Sequence, residues 1–356
     1  MNRTTSGEEP SARPGRMPLD PFAAALTDRM PGWSMQLRLF HDSQQQRQLT
    51  DQLWDWGTLH YAFTDFVIPE AAVLTGPDGA RLVVVHRPLH PGQLLVGALR
   101  DPSLAEAAYD WGDVRSPDGI SVGADPVRAA EDVRSRLLPR YDRAVWRLRL
   151  AVATRACIGI EKALTDWDAV SDSLADEQGF PLDDTAYGNR AALRDAEAWT
   201  HVETLLTSAP AIVSHLGQNL DLVGLAEGPN RGALYRLRSI QDALAAASDL
   251  QTQFLATPTT GLSPQAAARV LYAAREIRHE EGWAAAMAFE QHLPTVIRFA
   301  ERLPAPALVS PDHSPAAEST RSRAALSRTT RPSPGPSAST STTPGDTGPT
   351  TPRRSR

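Results

Sequence analysis

The hydrophobic pattern of this 356-residue chain changes its period near position 125, and this change restricts the folds available to it. Before that point apolar residues often alternate with polar ones, as in half-buried strands. After it they recur every three or four residues, as along one face of a helix. The sequence therefore predicts an α+β fold, with a small mixed α/β domain over residues 21–124 and a mainly α-helical bundle over residues 125–305.

An antiparallel β-meander is predicted in the first domain. Its clearest signal is the turn Gly76-Pro77-Asp78-Gly79, where proline fixes φ and glycine supplies a positive φ. The predicted strands are Met35–Leu39, Ala71–Thr75, Arg81–His86, Gln93–Leu99 and Ile120–Val122. The alternation of Leu59, Tyr61 and Phe63 predicts one more strand. Residues 44–56 and 102–111 are predicted helices, and the valine run at 83–85 predicts a strand covered on both faces.

The helical half begins with a strong start signal, because Asp125 is a good N-cap and Pro126 suits a first helical position. Apolar residues at helical spacing follow it: Ala130, Val133, Leu137, Tyr141, Val145, Leu148 and Val152. Pro139 interrupts this series and is predicted to kink the helix or divide it in two. Further helices are predicted near 155–175, 187–219, 232–256 and 264–303.

An internal repeat is suggested by four residues that recur at the same mutual spacing. They are Arg194, Glu197, Trp199 and Pro210 in one copy and Arg278, Glu281, Trp283 and Pro294 in the other. A true duplication and two similarly packed helices of one bundle both explain this match, and both predict the same architecture.

The two ends of the chain, residues 1–20 and 306–356, are predicted to be disordered because they have too few large apolar residues to bury. The net charge is −6, yet seven arginines and only three acidic residues follow position 310, so the body before it is the more acidic part. An acidic body disfavours a nucleic-acid-binding face, although the tail could contact an anionic partner. Only Lys162 is a lysine, and we attribute the excess of arginine to a GC-rich genome.

Candidate catalytic residues are few. Ser121 lies in a Gly-x-Ser-x-Gly match, but a polar Pro-Asp turn precedes it instead of the buried strand that a nucleophile elbow needs. We therefore predict that Ser121 is an outward residue of a short strand. His86 and His90 are four residues apart in a proline-containing segment, which lacks the helical face of a metal chelate. His41 and His60 lie in the same domain and could converge with them.

Acidic pairs also have a structural interpretation, because they flank turns and helix ends where carboxylates usually cap and are solvated. These pairs are Asp51 with Asp55, Asp110 with Asp113, Asp166 with Asp168, and Asp183 with Asp184. The single cysteine, Cys157, excludes an internal disulfide and any site with two thiolate ligands. Trp54, Trp56, Trp111 and Trp146 are predicted core or inter-domain anchors. No catalytic, cofactor-binding or metal-ligating residue is predicted.

Three functions remain as hypotheses. The first is a non-enzymatic adaptor or assembly protein of the cytoplasm, with no membrane partner, which binds another protein or a second copy of itself through helices with alanine-rich faces. These faces include residues 243–247 and 284–286. The second is a nucleic-acid-associated accessory protein that uses its arginine-rich C-terminal tail. The third is an enzyme with a histidine and aspartate site in the first domain.

Overall fold

The computed structural model describes residues 17–102, 104, 108–109, 112, 114–224 and 231–307. Within them an N-terminal five-stranded antiparallel sheet is followed by long helices, which confirms the predicted α+β class. Residues 1–16 and 308–356, which contain nearly all of the predicted disordered ends, lie outside the described residues. The helix predicted over 102–111 also lies mostly outside them.

The first part of the chain forms α1 (Leu19–Thr27), β1 (Ser34–Leu39), α2 (Ser43–Thr50), α3 (Thr58–Asp65), β2 (Glu70–Thr75), β3 (Arg81–His86), β4 (Gln93–Ala98) and β5 (Ile120–Gly123). The second part forms α4 (Pro126–Asp132), α5 (Leu138–Ser171), α6 (Asp184–Gln218), α7 (Arg231–Leu255) and α8 (Pro264–Ala300). Helix α1 begins inside the segment 1–20 that was predicted to be disordered, and Leu19 at its start is fully buried.

The sheet is the predicted meander, with strand order β1-β2-β3-β4-β5 and antiparallel pairing throughout. Its central strand β3 is covered on both faces, as the valine run predicted. Leu82 and Val84 face the core that contains α1, α4 and the start of α5, whereas Val83 and Val85 face α2 and α3. The turn before β3 is a 3₁₀ turn over Pro77–Gly79, and Gly79 has a φ of +78°.

One predicted strand is wrong. Leu59, Tyr61 and Phe63 lie in helix α3, where Leu59 and Phe63 are buried and Tyr61 is 57% exposed. Leu59, Ala62 and Phe63 have helical spacing and pack on the sheet, so alternation over only three residues was a misleading signal. The helix predicted over 44–56 ends at Thr50, and the residues after it join the end of β4 instead, where Leu53 bridges to Leu99 and the backbone N–H of Trp54 donates to Ala98 O.

Helix α5 connects the sheet to the bundle. The Asp125 carboxylate caps α4 by accepting from the N–H of Val127 at 3.0 Å, as predicted. A π-helical turn over Val133–Leu137 then separates α4 from α5, so Pro139 lies in the first turn of a new helix, where its missing N–H is harmless. The first turns of α5 pack into the sheet core, and its later turns pack against α6 and α8.

The internal repeat has a clear geometric counterpart in the bundle. At the spacing that separates Arg194 from Arg278, every buried residue of α6 except Trp199 is matched by a buried residue of α8. The Arg194 guanidinium carbon lies 4.6 Å from the ring centroid of Trp167 on α5 and 3.9 Å from that of Trp283 on α8. Arg278 likewise lies 4.0 Å from Phe254 on α7 and 5.0 Å from Trp199 on α6. The hairpins α5–α6 and α7–α8 therefore make equivalent contacts around these two arginines.

Candidate functional site

The histidines considered for catalysis or metal binding occupy different environments. His86 is buried at the end of β3, with Nε2 3.7 Å from a Glu70 oxygen, and His90 is exposed in the following loop. His41 is exposed, and the ring of His60 lies 5.1 Å from that of Trp56. Among the described residues, no group of three or more His, Cys, Asp or Glu side chains is arranged to hold a metal ion.

Ser121 is an outward residue of β5, as predicted. It is half-buried, it lies opposite Leu95 in the sheet, and its hydroxyl donates to the side-chain oxygen of Gln93 at 3.2 Å. No sharp strand-to-helix turn presents it as a nucleophile, because the next helix begins only at Pro126.

The acidic pairs mostly have structural roles. Asp183 caps α6 by accepting from the backbone N–H groups of Thr185 and Ala186, and Asp166 pairs with Lys162. Asp110 and Asp113 lie outside the described residues. Asp55 departs from the expectation of solvated carboxylates, since it is 1% exposed. Burial raises the pKa of the Asp55 carboxyl even though two backbone N–H groups donate to it.

The tryptophans that were predicted to be core or inter-domain anchors lie in different environments. Trp54 is a core residue whose ring meets those of Tyr109 and Tyr141. Trp56 is 64% exposed and is therefore no core anchor, and Trp111 lies outside the described residues. Trp146 is buried in the bundle core, as expected of a core anchor, and it also lines an open groove.

This groove, which we call the α5 groove, is a cavity of about 680 Å³. Helix α5 forms one wall, and the segment that follows α8 forms the other. The lining residues are Val114, Arg143, Trp146, Arg147, Leu150, Ala151, Thr154, Arg155, Ile158, Glu301, Leu303, Pro304 and Ala305.

The α5 wall consists of two parallel rows of side chains, one charged and one mainly apolar. One row carries Arg143, Arg147, Ala151 and Arg155, and the other carries Trp146, Leu150, Thr154 and Ile158. Each row repeats every four residues, which is the spacing of a ridge on a helix surface. A charged ridge therefore runs beside a mainly apolar one.

The charge of the α5 groove is positive. Arg143, Arg147 and Arg155 are exposed, and among the described lining residues Glu301 is the one acidic side chain. The Arg143 Nε donates to Pro139 O at 2.9 Å, and the side chain of Arg147 has no hydrogen bond or ion pair with any described residue. The Arg147 side chain can therefore bind an incoming acidic group, and Arg143 and Arg155 add positive charge beside it.

The opposite wall is fixed to the bundle by His215. Its Nε2 donates to the carbonyl oxygen of Pro304 at 2.9 Å, and its ring meets that of Trp146 edge-on with centroids 4.9 Å apart. Leu303 in the same segment is buried in the bundle core. The groove is thus bounded by packed elements on both sides.

Sequence reasoning missed the α5 groove because it attributed the excess of arginine to genome composition. The available signal was positional: Arg143, Arg147 and Arg155 lie four and eight residues apart, which places them on one helix face. The face itself could not be identified as uncovered, since that depends on where α6, α8 and the sheet pack.

In the described part of the chain, the helices are all too short or too polar to cross a bilayer. No family model, curated protein or solved structure matches this chain.

Proposed function

We propose that this protein is a non-enzymatic adaptor or assembly protein that binds an acidic helical segment of a partner protein in the α5 groove. The observation that carries the proposal is the alignment of Arg143, Arg147 and Arg155 beside an apolar ridge on an open face of α5. Twelve residues of helix span about 18 Å, so this row matches three or so turns of a partner helix. Ala151 in the middle of the charged row leaves room for close approach.

Charge supports an acidic partner. The chain has a net charge of −6, and because its tail after position 310 is basic, the remaining body is more acidic still, so the three arginines form a positive cluster on an acidic body. Complementary charges at an interface mainly increase the association rate and select partners. Ile158, which is 57% exposed on the apolar ridge, then supplies apolar contact area.

Packing within one chain explains the buried alanines of α7 and α8. Ala245, Ala246 and Ala284 are exposed. By contrast, Ala243 and Ala247 on α7 and Ala285 and Ala286 on α8 are buried in the bundle core, where α7 packs against α8. They do not require a second copy of the chain. We therefore propose a different protein as the partner, and sedimentation velocity tests the self-association alternative.

The other two hypotheses have less support. The proposed enzyme site requires His86 and His90 to meet carboxylates in a pocket, and neither histidine lines the α5 groove. The nucleic-acid hypothesis depends on the arginine-rich tail, which lies outside the described residues. Nucleic acid is therefore treated as an alternative outcome of the test below.

Photo-crosslinking in the native cell tests the proposal. A benzophenone amino acid replaces Ile158 in the groove, which is 57% exposed, and in a control chain it replaces Tyr235 on α7, which is 65% exposed. The expected result is a protein adduct at position 158, mapped by mass spectrometry to an acidic segment, and no such adduct at position 235.

Charge reversal supplies the matched variants. We expect the double substitution R143E/R147E to abolish the adduct at position 158, and R238E on the exposed surface of α7 to leave it intact. An adduct to nucleic acid, an adduct that survives R143E/R147E, or a crosslink between two copies of this chain would each overturn the proposal.

A further inference from the structure

Strand β1 lies at one edge of the five-stranded sheet, so only one of its two sides is paired with a neighbouring strand. It pairs with β2 over six consecutive residues, from Ser34 opposite Thr75 to Leu39 opposite Glu70, and no bulge interrupts the register. No other described strand pairs with β1, and none of its residues lines the α5 groove. We call the unpaired side the β1 edge.

The register with β2 determines which backbone groups point towards the β1 edge. The N–H of Phe40 donates to Pro69 O at 2.9 Å, so these opposed residues occupy a hydrogen-bonded position of the antiparallel ladder. Because hydrogen-bonded positions alternate along a strand, the even-numbered residues of β1 direct their N–H and C=O groups towards β2. The odd-numbered residues, Met35, Leu37 and Leu39, therefore direct theirs outward.

The chain itself closes both ends of this outward row. The N–H of Trp33 donates to Met30 O at 3.0 Å, and the N–H of His41 donates to the side-chain oxygen of Gln45 at 2.9 Å. Between these two ends, the three outward N–H groups and three outward C=O groups have no hydrogen-bond partner among the described residues. Residues 35–39 span about 13 Å of strand, which fits an added segment of about five residues.

The two edges of the sheet differ in how well they are protected. Strand β5 at the opposite edge has only four residues, and the N–H of Gly119 just before it donates to the Asp55 carboxylate at 2.8 Å. Soluble proteins usually protect an edge strand by short length, charged residues, proline or a bulge. Strand β1 has six residues, no proline and one charged residue, Arg38. Such an edge is typical of a strand that accepts another strand.

The side chains of β1 indicate the chemistry of the added strand. Met35 and Leu37 are half-buried against the core that contains α1, and Leu39, on the same face of the strand, is 56% exposed. Arg38 lies on the other face, and its side chain has no ion pair with any described residue. Burial and then the positive charge of Arg38 lower the pKa of Arg81, so the potential on this face is positive and favours an acidic side chain.

We infer that the β1 edge binds an extended segment of a partner protein as a sixth strand, with apolar side chains beside Leu37 and Leu39 and an acidic side chain beside Arg38. Main-chain hydrogen bonds supply affinity in this mode of recognition, and alternate side chains supply selectivity. The inference does not depend on the α5 groove, which fits a helix. An adaptor of the proposed kind would thus hold two partner segments of different conformation.

Amide-resolved hydrogen exchange of the full chain, measured by NMR, tests this inference. The probe is a capped peptide of about seven residues that alternates valine and glutamate. Without peptide, we expect the N–H groups of Met35, Leu37 and Leu39 to exchange faster than those of Gln36 and Arg38, which donate to β2. Saturating peptide should slow exchange of the three outward groups at least about tenfold and leave the other two nearly unchanged.

Two further peptides and three variants are the controls. A peptide of the same composition with its valines and glutamates grouped, and a peptide alternating valine and lysine, should give no comparable protection. R38E should reverse the preference between the glutamate and lysine peptides. L39P removes one outward N–H, whereas L39A keeps it and loses the same side chain. L39P should therefore bind the glutamate peptide at least about threefold more weakly than L39A.

Four results would overturn the inference. The first is slow exchange of the three outward groups without peptide, since the edge would already be covered. The second is slowing that increases with protein concentration alone, because a second copy would then occupy the edge. The third is equal protection by the grouped peptide, and the fourth is no protection by the alternating peptide at millimolar concentration. R38E leaves the backbone unchanged, so it decides the question even where L39P is unstable.

Discussion

The carboxylate of Asp55 accepts a hydrogen bond from the backbone N–H of Gly119 at 2.8 Å, although the two residues are 64 positions apart in sequence. Its other oxygen accepts from the N–H of Gly57 at 2.5 Å. Asp55 therefore ties the start of α3 to the segment that leads into β5. A Cβ at Gly119 would collide with this carboxylate, so glycine is required there for close approach.

The first prediction concerns the replacement of Asp55 by alanine. D55A leaves two backbone N–H groups without their acceptor in a buried place, and we expect it to lower the free energy of unfolding by about 1–3 kcal/mol. Urea denaturation measures the change. D65A at the exposed end of α3 is the matched control, expected within about 0.5 kcal/mol of the wild type. If D55A behaved like D65A, Asp55 would be the solvated cap that the sequence suggested.

Asp55 shows which kind of feature could not be predicted from the sequence. The meander, the cap at Asp125 and the break near Pro139 follow from local chemistry, so they were predicted correctly. The burial of Asp55 follows from a contact with Gly119, which no local pattern encodes. Helix α3 was missed for a related reason. Its sequence fits both the strand period and the helix period over a few residues, and packing against the sheet favours the helix.

Substitution of two helical glycines by alanine is predicted to change the stability of the fold in opposite directions. A Cβ on Gly282 of α8 would overlap the six-membered ring of Trp199, whose side chain is 2% exposed and cannot move freely. A Cβ on Gly188 of α6 meets nothing within 4 Å. We expect G282A to destabilise the fold by about 1–3 kcal/mol through overpacking.

By contrast, G188A should stabilise the fold by about 0.5–1 kcal/mol, because alanine lowers the entropy of the unfolded chain and favours the helix. Thermal unfolding of both variants under one condition gives the signs directly. A stabilising G282A would mean that α6 and α8 do not approach each other as closely at this level as the structure shows.

Cys157 gives a prediction about pH. It is 5% exposed in the bundle core, and burial, reinforced by the charges of Glu290 and Glu161, raises the pKa of its thiol to about 12. We expect no alkylation by iodoacetamide in the native protein at mildly alkaline pH and complete alkylation in guanidinium chloride.

The same shift affects stability, since the folded state holds the Cys157 proton more tightly than the unfolded chain, whose thiol has a pKa of about 9.0. This contribution is fully present below pH 9.0 and is lost as the pH rises towards 12. C157A should therefore lose less stability over that range than the wild type. Equal losses would show that the thiol ionises as easily in the folded protein as in the unfolded one.

The candidate sites were harder to predict than the fold. Arg143, Arg147 and Arg155 have a readable spacing, but many helices carry arginines on an exposed face, and only the positions of α8 and Pro304 turn this face into a groove. The difference between the repeats at Asp195 and His279 was also missed, because the repeat was recognised from the residues that its two copies share.

The final prediction concerns the contacts that join the two hairpins. Because Arg194 stacks on Trp283 of the other hairpin, removal of either partner removes the same interaction. A double-mutant cycle with R194M and W283L should therefore give a coupling energy of about 1–2 kcal/mol. The equivalent cycle with R278M and W199L should give a larger value, since Glu203 binds both of those side chains.

The control cycle pairs R194M with F299L, because Phe299 lies more than four helical turns beyond Trp283 on α8 and these two changes should add within about 0.5 kcal/mol. Strict additivity of R194M and W283L would show that Trp283 does not hold Arg194, whose remaining contacts are Asp195 and Trp167. The stacking of Arg194 on Trp283 would then contribute nothing to the stability of the bundle, although the same contact recurs in both hairpins. Substantial coupling in both cycles would instead show that each hairpin depends on a tryptophan supplied by the other.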